Sequence, residues 1–255
     1  MAGGLVTMLQ KIQYKALEKI TAEWDELASL RLDQITSGID ITYNHILIPS
    51  VIRLVSQISP TRVLDAGCGV GVLSKNLSTI AREVIGIDPS SRSIEIARTF
   101  EATGVRFVHT TIEQFAASND ILFDSVVANM VIMDTPDLAG FLSSARQVLH
   151  ENGVFIFTLT HPCFWPTYYG YASETWFKYN EEIMIEDQFR ISRDRSGSLM
   201  STHIHRPLEV YFMRFAEAGF VIETLQEPMP APNVEAMYSE PWSRPRYLIG
   251  SCRVV

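Results

Sequence analysis

The sequence has few cysteines: Cys68, Cys163 and Cys252 are the only three among its 255 residues. Their odd number and wide spacing do not suit a framework of disulfide bonds, and no CxxC pair is present. Disulfides accumulate in oxidising compartments and are rare in reducing ones. The scarcity of cysteine therefore favours a reducing, intracellular compartment, and we expect a cytoplasmic protein.

The sequence also lacks an excess of positive charge and long apolar runs. Its 21 lysines and arginines are outnumbered by 29 acidic residues, for a formal net charge of −8. Proteins that bind nucleic acids rely on basic surfaces. The first twenty residues carry lysines within their apolar pattern, and no later stretch is long enough to span a bilayer. We therefore expect a small-molecule partner, no nucleic acid and no membrane.

The spacing of apolar residues predicts two helices and then alternating strands and helices. The helices cover about residues 5–35, from Leu5, Leu9 and Ile12 onward, and about 44–56. The strands cover residues 62–66, 84–88, 105–109, 123–128 and 153–160. Nearly continuous apolar strands separated by helical patterns are typical of a parallel sheet that helices cover on both faces. The pattern predicts an α/β, doubly wound fold.

The rhythm of strands and helices stops at residue 161 and resumes near residue 206. Residues 161–205 are predicted to be a lid insertion, called the insertion. A helix is predicted to begin near Pro207. Two apolar runs, at residues 220–225 and 246–255, then predict two further strands, which pair as a C-terminal antiparallel hairpin. The sheet is thus expected to be seven-stranded and mostly parallel. Four units follow: an N-terminal helical cap (1–58), a ligand-binding core (59–160), the insertion (161–205) and the end of the core (206–255).

A glycine-rich loop follows the first strand, in the segment RVLDAGCGVGVLSKNL at residues 62–77. It lacks the GxxxxGK[ST] spacing of a loop that binds nucleotide phosphates. It also lacks the third glycine of the GxGxxG dinucleotide loop, because Val72 occupies that position. Asp88, at the end of the second strand, suits a ribose in either class of protein and does not discriminate between them.

Asp65 does discriminate between the two classes of ligand. It lies two residues before the first glycine, at the carboxyl end of the strand. A carboxylate at this strand end repels a pyrophosphate but attracts a ligand that carries ammonium and sulfonium groups. S-adenosylmethionine is such a ligand. The charge at Asp65 therefore favours S-adenosylmethionine over a dinucleotide.

Four segments together resemble the class I S-adenosylmethionine-dependent methyltransferases, in particular their small-molecule, type 11-like branch. VLDAGCGVG resembles the first motif of that family, and VIGIDPS resembles its ribose-binding acidic loop. FDSVVANMVIMDTPDL resembles the motif at the fourth strand, and LHENGVFIFTLTHP the segment at the fifth. The resemblance is strong over roughly residues 60–160 and looser over 203–255. It implies a Rossmann-like core that binds S-adenosylmethionine and releases S-adenosylhomocysteine.

The resemblance also implies which residues contact the cofactor. They are Asp65, Gly67, Cys68 and Gly69 for its methionine part, Asp88 for the ribose hydroxyls, Pro89 for the adenosine, Thr111, Ile112 and Glu113 for the adenine, and Asn129 and Met130 for the region of the methyl donor. An acidic residue is common in the family at the position of Ile112, so the adenine contact lies at 112 or at 113. Relatives often close their N-terminal segment over the cofactor, and Tyr43 is the residue expected to do so here.

The insertion is rich in aromatic residues and suits a wall of the acceptor pocket. They are Phe164, Trp165, Tyr168, Tyr169, Tyr171, Trp176, Phe177 and Tyr179. Clefts lined by aromatic side chains bind apolar or ring-bearing ligands. The same residues could instead form a small core of the insertion, and both interpretations stay open. Its charged segments, EEIMIED and RISRDR, are typical of a solvent-exposed surface.

Three residues are candidates for a catalytic base. His161 follows the fifth strand and Asp134 follows the fourth, at the sheet edge where such folds bind ligands. His203 is the third candidate; it alternates with His205, so that both would share one face of a strand. The two histidines and Cys163 lack the spacing of known zinc ligands, and no metal is expected.

These features predict an S-adenosylmethionine-dependent methyltransferase that acts on a small molecule. The acceptor is expected to be a hydrophobic or ring-bearing metabolite, with oxygen or nitrogen as the favoured acceptor atom. The alternatives are methylation of a peptide, protein or nucleic acid, and a protein that binds S-adenosylmethionine without methyl transfer. The nucleic-acid alternative lacks the [DN]PP[YFW] motif, because Met130 and Val131 follow Asn129. A monomer or a homodimer is expected.

Overall fold

The structure, a computed structural model, describes residues 9–195 and 197–255. Its strands are β1 (Gln10–Ile12), β2 (Arg62–Ala66), β3 (Glu83–Asp88), β4 (Val105–His109), β5 (Phe123–Asn129), β6 (Leu149–Thr160), β7 (Ile183–Gln188), β8 (Met200–His205), β9 (Phe220–Gln226) and β10 (Tyr247–Val254). Its α-helices are α1 (Leu17–Thr36), α2 (Ile48–Ile58), α3 (Val72–Leu77), α4 (Ser91–Ala97), α5 (Ile112–Ser118), α6 (Leu138–Gln147), α7 (Trp165–Tyr169), α8 (Leu208–Glu217) and α9 (Pro232–Glu235). A π-helical turn, Tyr43–Leu47, leads into α2, and a 3₁₀ turn, Arg98–Phe100, follows α4.

Seven strands form the central sheet in the order β4-β3-β2-β5-β6-β10-β9. The first five run parallel, and β10 lies between β6 and β9, antiparallel to both. The parallel strands are nearly continuously apolar because helices cover both faces, and a buried hydrophobic cluster lies on each side of the sheet. The predicted doubly wound, seven-stranded fold with an antiparallel C-terminal hairpin is confirmed.

The prediction of one N-terminal helix over residues 5–35 was wrong in its first part. Leu5 lies outside the described residues, and α1 begins only at Leu17. Residues Gln10–Ile12 instead form β1, which pairs antiparallel with residues of β7 in the insertion. Leu9, whose spacing had indicated a helix, packs on the hydrophobic cluster of the insertion. Tertiary pairing has thus overridden a local helical pattern.

The insertion folds around its own sheet. β7 and β8 pair antiparallel, and β1 adds a third strand, in the order β1-β7-β8. Lys15, between β1 and α1, contacts Glu23 of α1 and Glu186 of β7, and donates a hydrogen bond to Thr202 of β8 at 2.8 Å. The N-terminal segment and the insertion are therefore joined by backbone and side-chain bonds. Within the described ranges, no helix has the length and apolar character needed to cross a membrane.

Candidate active site

A cavity of about 370 Å³ opens at the carboxyl edge of the parallel strands. Its walls come from the loops after β2, β3, β4 and β5, from α1 and the π-helical turn, and from the insertion. The size lies within the range of small-molecule sites. In open parallel sheets, ligands bind at this edge, near the point where the strand order reverses. β2 lies at that point here, because β3 lies on one side of it and β5 on the other.

The glycine loop after β2 forms the floor of one end of this cavity. The backbone N–H groups of Gly67 and Cys68 both donate to the carbonyl of Ile87, at 2.8 and 2.9 Å, which holds the loop against β3. Gly67, Gly69 and Gly71 all have positive φ angles, of 81°, 51° and 81°. L-residues with a side chain rarely adopt this conformation. The loop geometry therefore depends on these three glycines.

Substitution of two of these glycines is expected to separate folding from ligand binding. A Cβ at Gly69 meets nothing within 4 Å, and Gly69 lines the cavity, whereas a Cβ at Gly71 would lie 2.8 Å from Ala97 and 2.9 Å from Phe107. Gly69→Ala should cost about 1 kcal/mol of stability for its backbone strain. Gly71→Ala should cost roughly 2 kcal/mol more, because crowding adds to the strain. Denaturant unfolding measures both effects.

A ligand titration completes this pair of variants. Gly69→Ala should weaken S-adenosylhomocysteine at least about tenfold, because its methyl group occupies ligand space. Folded Gly71→Ala should bind that ligand better than Gly69→Ala does. The reverse order of affinities would contradict the position of the ligand against Gly69.

Asp65 lies at the end of β2, buried beneath the glycine loop with only 1% of its surface exposed. The Ser74 hydroxyl donates to Asp65 Oδ2 at 2.6 Å, whereas Oδ1 has no hydrogen-bond partner among the described residues. Burial raises the pKa of Asp65 to about 7, against the opposing effect of the Ser74 bond. A buried carboxylate oxygen without a partner suits a cationic group. Asp65 is not itself in the cavity wall, so it acts from behind the loop.

Asp88, at the end of β3, lines the cavity. The backbone N–H of Ser90 donates to its Oδ1 and that of Gly69 donates to its Oδ2, both at 2.8 Å. Burial raises the pKa of Asp88 to about 6, and these two bonds oppose that rise. The carboxylate is thus held in one orientation beside the glycine loop, with lone pairs left to accept further hydrogen bonds.

Asp25 of α1 contributes to the same region and was not among the predicted site residues. Its Oδ1 accepts hydrogen bonds from the Ser90 hydroxyl at 2.7 Å and from the Arg92 N–H at 3.0 Å. Ser90 in turn caps α4. The N-terminal helix is therefore fastened directly to the turn that follows Asp88. No local motif could have indicated a contact between residues so far apart in the sequence.

The structure brings nearly all the predicted cofactor residues to one cavity. Those in its wall are Tyr43, Gly67, Cys68, Gly69, Asp88, Pro89, Thr111, Ile112, Glu113, Asn129 and Met130. Thr111 caps the N-terminus of α5. Its hydroxyl accepts from the Gln114 N–H, and the Gln114 side chain accepts from the Thr111 N–H, which fixes that loop. Ile112 and Glu113 both line the cavity, so the position of the adenine contact stays a prediction.

The turn after β5 has an unusual backbone. Met130 has a φ of 61°, which is uncommon for a residue with a long side chain. The Thr158 hydroxyl fixes the turn, because it donates to Asn129 Oδ1 at 2.7 Å and accepts from the Met130 N–H at 2.9 Å. Strained residues of this kind concentrate at functional sites. The strain brings Asn129 and Met130 into the same wall.

The aromatic residues of the insertion fall into two groups, those that line the cavity and those that do not. Trp165, Tyr168 and Tyr169 line the cavity, where Tyr247 and Phe189 join them. The others predicted to form a pocket wall do not line the cavity; they are Phe164, Tyr171, Trp176, Phe177 and Tyr179. Of these, Tyr171, Trp176 and Phe177 belong to the small core around Ile183 and Ile185. Part of the aromatic cluster thus forms a small core of the insertion and part lines the cavity, and its contact with an acceptor stays a prediction.

The three candidate bases have different environments. His203 lines the cavity, and burial lowers its pKa to about 3, so that its imidazole is neutral near pH 7. Asp134 also lines the cavity, and burial raises its pKa well above the usual range, with the charge of Glu23 adding to the effect. His205 is directed elsewhere, since its Nε2 bonds to the carbonyl of Tyr179 at 2.9 Å.

His161 does not reach the cavity wall. Its Nδ1 accepts a hydrogen bond from the Cys163 N–H at 3.1 Å, so Nε2 carries the proton and donates to Glu227 at 2.7 Å. Both ring nitrogens are therefore used to fasten the start of the insertion. Within residues 9–195 and 197–255, no group of three His, Cys, Asp or Glu side chains is placed to hold a metal ion.

The segment RISRDR is not simply an exposed surface, as its charge pattern had indicated. Arg190 and Arg195 line the cavity, together with Arg31 of α1. Arg31 is paired with Asp40 at 2.8 Å and Arg190 with Asp187 at 3.1 Å. The alternating charges of this segment did not indicate that it reaches the cavity, because only the three-dimensional fold determines which of its side chains face the cavity.

Comparison with known proteins gives matches to methyltransferases. Residues 58–209 match the family model of a methyltransferase domain. The ubiquinone biosynthesis O-methyltransferase of Methylocella silvestris is 36% identical over 96 residues, which cover 36% of this chain and 37% of that protein. The chain thus spans less than half the length of this curated relative.

Two solved structures show the same fold. A putative S-adenosylmethionine-dependent methyltransferase from Listeria monocytogenes is 25% identical, with a TM-score of 0.59 over 78% of this chain and 92% of that one. The 1,6-didemethyltoxoflavin-N1-methyltransferase of Burkholderia thailandensis, with S-adenosylhomocysteine bound, is 14% identical, with a TM-score of 0.62 over 100% and 98% of the two chains. At that identity, the second likeness concerns the fold alone.

Proposed function

Because the chain belongs to the class I S-adenosylmethionine-dependent methyltransferases, we propose that it transfers a methyl group from S-adenosylmethionine to an oxygen or nitrogen of a small, ring-bearing molecule. The observation that carries this proposal is one continuous cavity. Its wall includes the glycine loop and Asp88 at one end, and Trp165, Tyr168 and Tyr169 of the insertion at the other. A donor and an acceptor can therefore lie in contact within one cavity.

The charges at the glycine-loop end support the choice of cofactor. Asp65 has an oxygen without a partner, and Asp88 has a fixed carboxylate that faces the cavity. Asp65 would attract the ammonium group of the methionine part, and Asp88 would accept the ribose hydroxyls. S-adenosylmethionine supplies, when bound, a methyl group activated by the positive charge on its sulfur.

The work left to the protein is mainly positioning. Displacement of a methyl group from sulfur requires the acceptor atom in line with the breaking bond, in a site that excludes water. The aromatic wall would orient a flat acceptor, and α1 and the insertion would cover it. We propose that His203 accepts the proton of the acceptor, because it lines the cavity and its Nε2 has no hydrogen-bond partner among the described residues, whereas both ring nitrogens of His161 are already bonded.

A combined binding and turnover experiment tests this function. S-adenosylmethionine and S-adenosylhomocysteine should bind with micromolar affinity in calorimetry, and NADH should not bind. Methyl transfer to a panel of phenols, ring-bearing amines and hydroxy acids should then yield one methylated class. Binding of NADH alone would contradict the proposal. Binding of both sulfur nucleosides without turnover on the whole panel would contradict small-molecule methyl transfer.

The stability of the ligand-free protein should depend on pH through Asp65. Its folded pKa of about 7 lies above the ordinary value of 3.8 for an aspartate, so the folded state binds more protons between these values. Stability should therefore fall as the pH rises through this window. Between pH 5 and pH 8, the melting temperature of the wild type should drop about 3 °C more than that of Asp65→Asn.

Calorimetric melting curves of the two proteins at both pH values measure this difference. Asp88, with a folded pKa of about 6, acts in the same direction in both proteins and cancels in the comparison. S-adenosylhomocysteine should reduce the drop in the wild type, because its ammonium group favours the ionised Asp65. Parallel profiles of melting temperature against pH in the two proteins would contradict the inference that ionised Asp65 destabilises the folded state.

A further inference from the structure

Arg246, directly before β10, is a buried cation without an acidic partner among residues 9–195 and 197–255. Only 9% of its surface is exposed. Its guanidinium carbon lies 3.8 Å from the ring centroid of Tyr168, 4.4 Å from that of Trp242 and 5.7 Å from that of Tyr238. Across the described parts of the chain, its side chain forms neither an ion pair nor a hydrogen bond. Burial lowers the pKa of Arg246, and Arg195 lowers it further.

The position of Arg246 connects it to the cavity. Its carbonyl accepts a hydrogen bond from the His161 N–H at 2.9 Å, and the next residue, Tyr247, pairs with Thr160 at the end of β6. Tyr247 and Thr160 both line the cavity, as does Tyr168, on whose ring Arg246 is stacked. Arg246 therefore lies directly behind the wall at the insertion end.

Positive charge at this end of the cavity is not balanced by the protein. Arg195 is exposed, lines the cavity and, like Arg246, forms no ion pair within the described ranges. The other cavity arginines, Arg31 and Arg190, each have a carboxylate partner. With 29 acidic residues in the chain, the lack of a carboxylate partner for Arg195 and Arg246 among the described residues is not a matter of composition.

A cation removed from water without a counter-charge is unfavourable, and contacts with aromatic faces compensate for only part of that cost. The missing negative charge is therefore expected from a ligand. The opposite end of the cavity, with Asp88 and Glu113 in its wall, suits the cationic donor. The cavity thus has an acidic end for the donor and a basic end for something anionic.

We propose that Arg246 and Arg195, with the ring of Tyr168, form a subsite that binds a carboxylate of the methyl acceptor. This inference rests on the proposed function, because it assigns the acceptor to the class of ring-bearing acids. The planar guanidinium group of Arg195, which lines the cavity, matches a carboxylate with two parallel hydrogen bonds, and Arg246 adds its charge from behind the ring of Tyr168. The aromatic rings beside it would contact the ring of the acceptor.

Binding of matched acids and amides tests the proposal. The protein, saturated with S-adenosylhomocysteine, is titrated in calorimetry with benzoate and benzamide, phenylacetate and phenylacetamide, indole-3-acetate and indole-3-acetamide, and with phenyl phosphate. At least one carboxylate should bind about tenfold or more tightly than its amide. Arg195→Gln should abolish this preference, Arg195→Lys should retain part of it, and Arg246→Gln should reduce it about threefold. The exposed neighbour Arg244 provides the control, and Arg244→Gln should behave as the wild type.

The outcomes separate this inference from the proposed function. S-adenosylhomocysteine should bind Arg195→Gln and Arg246→Gln as it binds the wild type, which also verifies their fold; if Arg246→Gln does not fold, the two Arg195 variants carry the test. Equal binding of acids and amides, or a preference that survives in Arg195→Gln, would overturn the subsite and leave Arg246 as a structural clamp. Tighter binding of phenyl phosphate than of every carboxylate would overturn the choice of carboxylate. Failure of the wild type to bind S-adenosylhomocysteine would instead overturn the proposed function.

Discussion

Asp88→Ala is expected to weaken binding of S-adenosylmethionine by about 10²- to 10³-fold. The carboxylate is held by two backbone N–H groups, from Ser90 and Gly69, so that it is already oriented before the ligand arrives. Hydrogen bonds to a charged group contribute about 1.5–3 kcal/mol each. Loss of two bonds to the ribose hydroxyls, at the lower end of that range, corresponds to about 3–4 kcal/mol, or about 10²- to 10³-fold at about 1.4 kcal/mol for each factor of ten.

A matched control exists at the opposite edge of the same sheet. Asp124 Oδ2 also accepts two backbone hydrogen bonds, from the N–H groups of Thr61 and Arg62, both at 2.8 Å. Asp124→Ala should lower stability without changing the affinity for S-adenosylmethionine. Calorimetric titration of both variants measures the difference. An unchanged affinity in folded Asp88→Ala would contradict the assignment of the ribose to the end of β3.

His203→Ala is expected to lower kcat by about 10²-fold or more while the affinity for S-adenosylmethionine stays unchanged. Removal of a positioned proton acceptor has effects of this size. Since burial lowers the pKa of His203 to about 3, its neutral form persists above that pH. Between pH 5 and pH 8, the rate of the wild type should therefore show no titration that is absent from the rate of His203→Ala.

His205 provides the control, because it lies on the same strand and face but bonds to the carbonyl of Tyr179. His205→Gln keeps a donor for that carbonyl and should retain most of kcat. Steady-state kinetics with an acceptor found in the panel compare the two variants. Equal, small losses in both would mean that His203 has only a structural role. A kcat unaffected by His203→Ala would exclude it as the proton acceptor.

The glycine-loop end of the cavity could be predicted because its signals are local. Asp65, the three glycines and Asp88 occupy fixed positions at the ends of two adjacent strands, and parallel strands bring such ends together. The fold class could also be predicted, because the periodicity of apolar residues in the strands is a local signal. Only the side-chain partners, such as Asp25 at Ser90, needed the three-dimensional structure.

The acceptor end could be predicted only in outline. Aromatic composition indicated a pocket wall, but it could not distinguish Trp165, which lines the cavity, from Trp176, which packs on Tyr171. The choice depends on which way each short segment turns, and the insertion has no regular period. Arg246 gave no sequence signal, because its isolation from carboxylates arises from distant parts of the chain.

The pairing of β1 with β7 has a consequence for how this protein can change its specificity. The segments proposed to bind the donor lie within residues 43–130, whereas the proposed acceptor wall combines α1, the insertion and the start of β10. Gln10–Ile12 form an edge strand of the insertion's sheet, and Lys15 ties that sheet to α1. Exchange of residues 161–205 alone with those of a relative would therefore leave a mismatched edge. A graft that carries a new acceptor preference must transplant the N-terminal segment and the insertion as a single cassette.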